Sequence, residues 1–88
     1  MSRAKSISYG NVNSYIQLGL NIAYFRKLRG MTQEQFAEKT GISRSYLSAV
    51  EAPNIIKTVS LELLFDISDA LSIEPYRLLE FKETNNNL

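Results

Sequence analysis

The sequence predicts an all-α fold: a compact bundle of five helices in which the second and third form a helix-turn-helix. Three observations carry that expectation. Apolar residues recur at intervals of three and four along successive segments, the spacing of one buried helical face. No segment shows the run of alternating β-branched residues that a half-buried strand would need. Within "TQEQFAEKTGISRSYLSAVE", two short segments carry their own start and stop signals with almost nothing between them.

Residues 1–13 are polar, with Ser, Asn and Gly10, and are expected to form a flexible arm ahead of the domain. The first helix is expected from Ser14 to Arg29, where Tyr15, Leu18, Ile22 and Phe25 make one stripe and Gly30 follows as a stop. The second opens on Thr32 with Gln35 three residues on, the capping-box pattern. Met31 and Phe36 stand at the positions of a hydrophobic staple, and Gly41 ends the helix.

Ser43 is a good N-cap for the third helix, and Ile42 with Leu47 repeats the staple spacing. Leu47 and Val50 fall on its inner face, which turns Arg44, Ser45, Ser48 and Ala49 outward. A loop then spans Ala52 to Val59. Ser60 caps a fourth helix whose apolar side holds Leu61, Leu64, Ile67 (or Phe65) and Leu71. Pro75 suits the first position of a fifth helix bearing Leu78, Leu79 and Phe81. The domain is thus expected over 14–82, with a disordered tail over 83–88.

Composition excludes several functions. With 88 residues and 44% hydrophobic content, one core in one domain is expected. There is no cysteine and no histidine, so the thiolate nucleophile, the commonest general base and the commonest transition-metal ligand are all missing. Glu62, Asp66 and Asp69 space carboxylates along one helix, but nothing beside them suggests a catalytic pocket, and a solvated acidic face is expected. No enzyme activity, cofactor or metal is anticipated. No apolar run approaches the ~18–20 residues of a membrane span, and the N-terminus lacks a signal-peptide core, so a soluble cytoplasmic protein is expected.

Net charge is only +1, yet it is unevenly spread. Residues 1–50 hold seven basic side chains against two acidic ones, net +5, and residues 51–88 hold three against seven, net −4. A basic half backed by an acidic half is the pattern of a nucleic-acid face. The third helix supplies the chemistry for one. Only short side chains near a helix start let its backbone approach base edges in the major groove. "SRS" places one arginine between two serines, and arginine is the bidentate donor for guanine O6 and N7. Ala49, one turn on, can touch a thymine methyl.

These segments together resemble the phage-repressor and Cro type of helix-turn-helix, the lambda-repressor-like family. "LGLNIAYFRKLRGMTQEQFAEKTGISRSYLSAVE" resembles its first three helices, and "SLELLFDISDALSIEPYRLL" its last two. The resemblance implies a five-helix domain binding double-stranded operator DNA, commonly as a homodimer, with the C-terminal helix region (Leu78, Leu79, Phe81) as the expected interface. It also implies a sequence-specific transcriptional regulator. Arg44, Ser45 and Ala49 match the family's base-reading positions, with Ser48 on the same outward face. Gln33, Ser43 and Tyr46 match positions that meet the DNA backbone, although Tyr46 could equally pack its ring on the bundle. Arg26 and Glu51 match a structural ion pair.

After Glu51 the chain departs from the family pattern. "APNIIKTVS" has no glycine and about two extra residues, so Asn54, Lys57 and Thr58 become the candidates for the phosphate contact of that loop. Ile55 and Ile56 are expected to tuck into the core or a subunit interface. The arm with Arg3 and Lys5 either tracks phosphates or is disordered without function. The alternative function is an antitoxin or another protein-interaction module built on the same fold.

Overall fold

The computed structural model describes residues 7–82. It is all-helical, with four α-helices among the described residues: α1 (Val12–Leu28), α2 (Gln33–Thr40), α3 (Arg44–Glu51) and α4 (Leu61–Leu71). Two 3-10 segments, Tyr9–Asn11 and Pro75–Leu79, flank them. The expected fifth α-helix is therefore a single 3-10 stretch. The expected arm also ends earlier, because Tyr9–Asn11 leads straight into α1 two residues before Ser14. The remainder of that arm, residues 1–6, and the expected tail, residues 83–88, lie outside the described residues.

Side chains from α1 explain the missing helix. An α-helix continuing past Pro75 would pair the Lys82 amide with the Leu78 carbonyl. Instead Asn21 donates from Nδ2 to the carbonyls of Leu78 (2.9 Å) and Glu80 (3.2 Å). Gln17 accepts the Lys82 amide on Oε1 at 2.9 Å. The C-terminal segment is held extended along α1 because α1 supplies the partners that a helix would otherwise provide.

The other boundaries follow from their caps. Thr32 Oγ1 accepts the Gln35 amide at 3.1 Å, while Gln35 Oε1 accepts the Thr32 amide at 2.9 Å, a reciprocal box. Ser43 and Ser60 each accept the backbone N–H three residues on. Gly41 closes α2 with φ 78°, a left-handed conformation that costs a side-chain-bearing residue about 1–2 kcal/mol. There the Ile42 amide folds back to the Ala37 carbonyl at 3.1 Å, and three residues suffice to start α3.

The core gathers Leu18, Ile22 and Phe25 from α1, Phe36 and Ala37 from α2, Leu47 and Val50 from α3, Leu64, Ile67 and Leu71 from α4, and Leu78. Met31 and Ile42 pack against it at the entries of α2 and α3. On α4 Ile67 faces inward and Phe65 outward, while Leu61, expected on the buried stripe, is exposed at the first position of the helix. Leu78 is wholly buried, so it is a core residue and is corrected out of the expected subunit interface.

Gly19 sets how closely α1 and α3 meet. A Cβ built there would lie 1.9 Å from the Val50 carbonyl oxygen, so only glycine lets the end of α3 rest on the α1 backbone.

Candidate nucleic-acid interface

α3 stands on Leu47 and Val50, at 0% and 5% exposure, and packs across both α1 and α2. Arg44 and Ser45 lie exposed in its first turn, and Ser48 and Ala49 are half-buried one turn further. Ser43 is exposed beside them. Its oxygen accepts the Tyr46 amide and lies 3.4 Å from Ser45 Oγ, a contact in which either hydroxyl can donate.

At the inner end of α3, Arg26 and Glu51 form a buried bidentate pair. Nε donates to Oε2 at 2.7 Å and Nη2 to Oε1 at 2.9 Å, while Nη1 donates to the Met31 carbonyl at 2.7 Å. Gln33 joins this network through Nε2 to Glu51 Oε1 at 2.9 Å. One carboxylate thus binds α1, the start of α2 and the end of α3 together. Gln33 has one amide N–H engaged and a second available, and it sits half-buried at the start of α2, beside the end of α3.

The loop after α3 is organised differently from a glycine turn. Pro53 and Asn54 occupy the middle of a turn closed by the Ile55 amide on the Ala52 carbonyl at 3.2 Å. Asn54, Lys57 and Thr58 are all exposed. Ile56 is half-buried, but Ile55 remains 44% exposed rather than tucked away. The Tyr46 phenol donates its proton to the Thr58 carbonyl, and burial raises its pKa above the ordinary 10.0. A phosphate oxygen, being an acceptor only, would have to displace Thr58 to take that proton. Tyr46 is therefore placed as a latch that keeps Lys57 and Thr58 next to α3.

The basic half contributes less to the surface than its charge suggests. Arg26 is consumed inside the fold, and Arg29, though exposed, donates to the Leu71 carbonyl at 2.7 Å, capping α4. Lys27, Lys39 and Arg44 remain exposed, and Arg44 itself meets a carboxylate: its Nε lies 3.1 Å from Glu34 Oε2. Sequence reasoning missed Glu34, which reads simply as an acid suited to a helix start. Gly19 was also missed, although a glycine inside an apolar-periodic helix is itself a sign of close backbone approach.

A short turn between two capped helices, the second presented outward by a buried underside, defines a helix-turn-helix domain. The chain belongs to the Helix-turn-helix family HTH_3, whose profile matches residues 22–78. It is 34% identical over 65 residues to the HTH-type transcriptional regulator SinR of Bacillus subtilis (strain 168), a match covering 74% of this chain. The chain spans 58% of that relative's length. The restriction-modification controller protein C.AhdI from Aeromonas hydrophila superposes with a TM-score of 0.68 at 32% identity, over 75% of this chain and 97% of that one. SinR, master regulator for biofilm formation, solved in complex with DNA, superposes with a TM-score of 0.66 at 33% identity, over 72% and 98% of the two chains. Among the described residues no helix is long and apolar enough to cross a membrane.

Proposed function

We propose that the chain is a sequence-specific DNA-binding transcriptional regulator that reads operator DNA with α3 in the major groove. The observation that carries this reading is the orientation of α3. Leu47 and Val50 are buried beneath it while Arg44 and Ser45 project into solvent from the end a groove admits. Arg44, Ser45, Ser48 and Ala49 face the base edges. Gln33, Ser43, Asn54, Lys57 and Thr58 meet the sugar-phosphate backbone, with Tyr46 acting through the loop it latches. The similarity to a SinR solved with DNA supports the same use of this face. The protein acts in the cytoplasm and performs no catalysis.

It works as a homodimer on a two-fold operator, through the C-terminal region. Leu79 at 50% exposure and the half-buried Phe81 carry that face, beside Leu61 at 64%. Half-sites then fall about 34 Å apart, one helical turn of the duplex. A selection from random duplexes at two salt concentrations tests the reading. The expected result is a two-fold sequence whose affinity falls with salt by about 0.9 log units per log unit for each neutralised phosphate. Binding that shows neither salt dependence nor sequence preference overturns it. The rival, an antitoxin or similar interaction module, draws on Leu20, Tyr24 and Leu28, which stand exposed along α1. It gains if a protein partner co-purifies while no duplex is retained.

A further inference from the structure

We infer that Glu34 sets the aim of Arg44: the carboxylate is a positioning residue for the guanine reader and a guard against unspecific sequence. The inference rests on the DNA-reading assignment above and identifies what controls the selectivity of that site.

The pair spans the turn. Glu34 belongs to the first turn of α2 and Arg44 opens α3, and their Nε–Oε2 separation is 3.1 Å. Stability does not explain it. The two side chains are 57% and 70% exposed, and exposed ion pairs contribute little. Arg44 stands at the positive end of the α3 dipole, an unfavourable site for a cation, and Glu34 offsets that charge locally. Among the described residues Arg44 has no other ion-pair partner.

Two consequences follow for a bound duplex. A long arginine loses rotamer freedom when it reads a base, and a carboxylate against its Nε removes part of that freedom beforehand. The guanidinium carries five donors, so its Nη1 and Nη2 groups can still address guanine O6 and N7 while Nε faces Glu34. A phosphate is a different matter. An Arg44 that turns to a phosphate brings Glu34 toward the same negative group, so sequence-independent binding is opposed while guanine reading is kept.

The experiment compares the parent with Glu34→Gln and Glu38→Gln, using the selected duplex and a scrambled one at two salt concentrations. Glu38 is an exposed α2 carboxylate with no cationic partner among the described residues, so it reports the bare change of charge. For Glu34→Gln the ratio of selected to scrambled affinity should fall about three- to tenfold, part of the ~5–150-fold that one bidentate base pair commands. Repeated selection with that variant should show the guanine preference weakened at one position per half-site. Glu38→Gln should keep the ratio, and in an Arg44→Ala background Glu34→Gln should change it no further. Melting temperatures within about 2 °C of the parent would exclude misfolding as the cause. A Glu34→Gln variant with the parent's ratio and base preference overturns this inference alone. A parent that prefers no duplex overturns the DNA-reading assignment and this inference with it.

Discussion

Gly19→Ala separates helix propensity from packing, because the two predict opposite signs. Alanine is favoured over glycine inside a helix by about 1 kcal/mol, so α1 considered alone would gain. In the folded domain the new Cβ would lie 1.9 Å from the Val50 carbonyl oxygen and 3.0 Å from its carbonyl carbon. Carbon–oxygen contacts settle near ~3.3 Å, so the end of α3 must retreat from α1 by more than about 1 Å. Both obstacles are backbone atoms and cannot rotate aside. Overpacking costs about 1–3 kcal/mol, and the upper end applies here. Subtracting the propensity gain leaves a net loss of about 2 kcal/mol. For a domain of this size that lowers the melting temperature by about 8–16 °C. The Glu51 Cα lies 3.5 Å from the same Cβ position, so the displacement also disturbs the pair with Arg26. Thermal and urea unfolding should be run beside Gly10→Ala, whose Cβ meets nothing within 4 Å. A Gly19→Ala domain that melts at or above the parent's temperature would refute the close α1–α3 packing.

Four further outcomes are expected. Arg44→Ala should leave the melting curve unchanged yet remove about 1–3 kcal/mol of base discrimination, read as the affinity ratio between selected and mismatched duplexes. Leu47→Ala opens a cavity beneath α3 where the side chain is wholly buried, and should cost about 2–5 kcal/mol by urea titration. Glu51→Ala strands the buried Arg26 guanidinium and should cost about 3–5 kcal/mol, more than a surface charge ever would; a loss below ~1 kcal/mol would show that water reaches the pair. Tyr46→Phe releases the loop from α3 and should cost about 0.5–1.5 kcal/mol at neutral pH. Because burial raises the Tyr46 pKa, the phenol's share of stability is present below pH 10 and lost as pH rises through the raised value. The phenylalanine variant should therefore show a smaller alkaline loss than the parent in melts compared between neutral and strongly alkaline pH.

The cytoplasmic, DNA-facing role proposed for α3 also bears on how its affinity is assembled. One cation from the basic half, Arg26, is committed to a carboxylate inside the domain, while Arg29 is exposed and donates one N–H to the Leu71 carbonyl. Counterion release must then come from Lys27, Arg29, Lys39, Lys57 and whatever the residues before Ile7 supply. A modest salt slope per subunit is the expected signature, with hydrogen bonds from Gln33 and Ser43 carrying more of the backbone contact than the net charge of the half suggests.

What the sequence by itself determined is everything whose partners lie within a turn or two. Thr32 with Gln35, Ser43 with Tyr46, and Ser60 with Leu63 each close inside four residues, so cap and boundary are legible together. The inward set Leu18, Ile22, Leu47 and Val50 follows from helical period alone, and with it the outward set at the start of α3. The tertiary structure decided what depends on which helix faces meet. Asn21 and Gln17 unwind the expected fifth helix from 57 or more residues away. Val50 explains Gly19, Thr58 claims the Tyr46 proton, and Glu34 takes up Arg44. Local hydrogen bonds and periodicity are written in adjacent letters. A close approach between backbones, or a charge answered from another helix, exists only after the core has chosen how those helices cross.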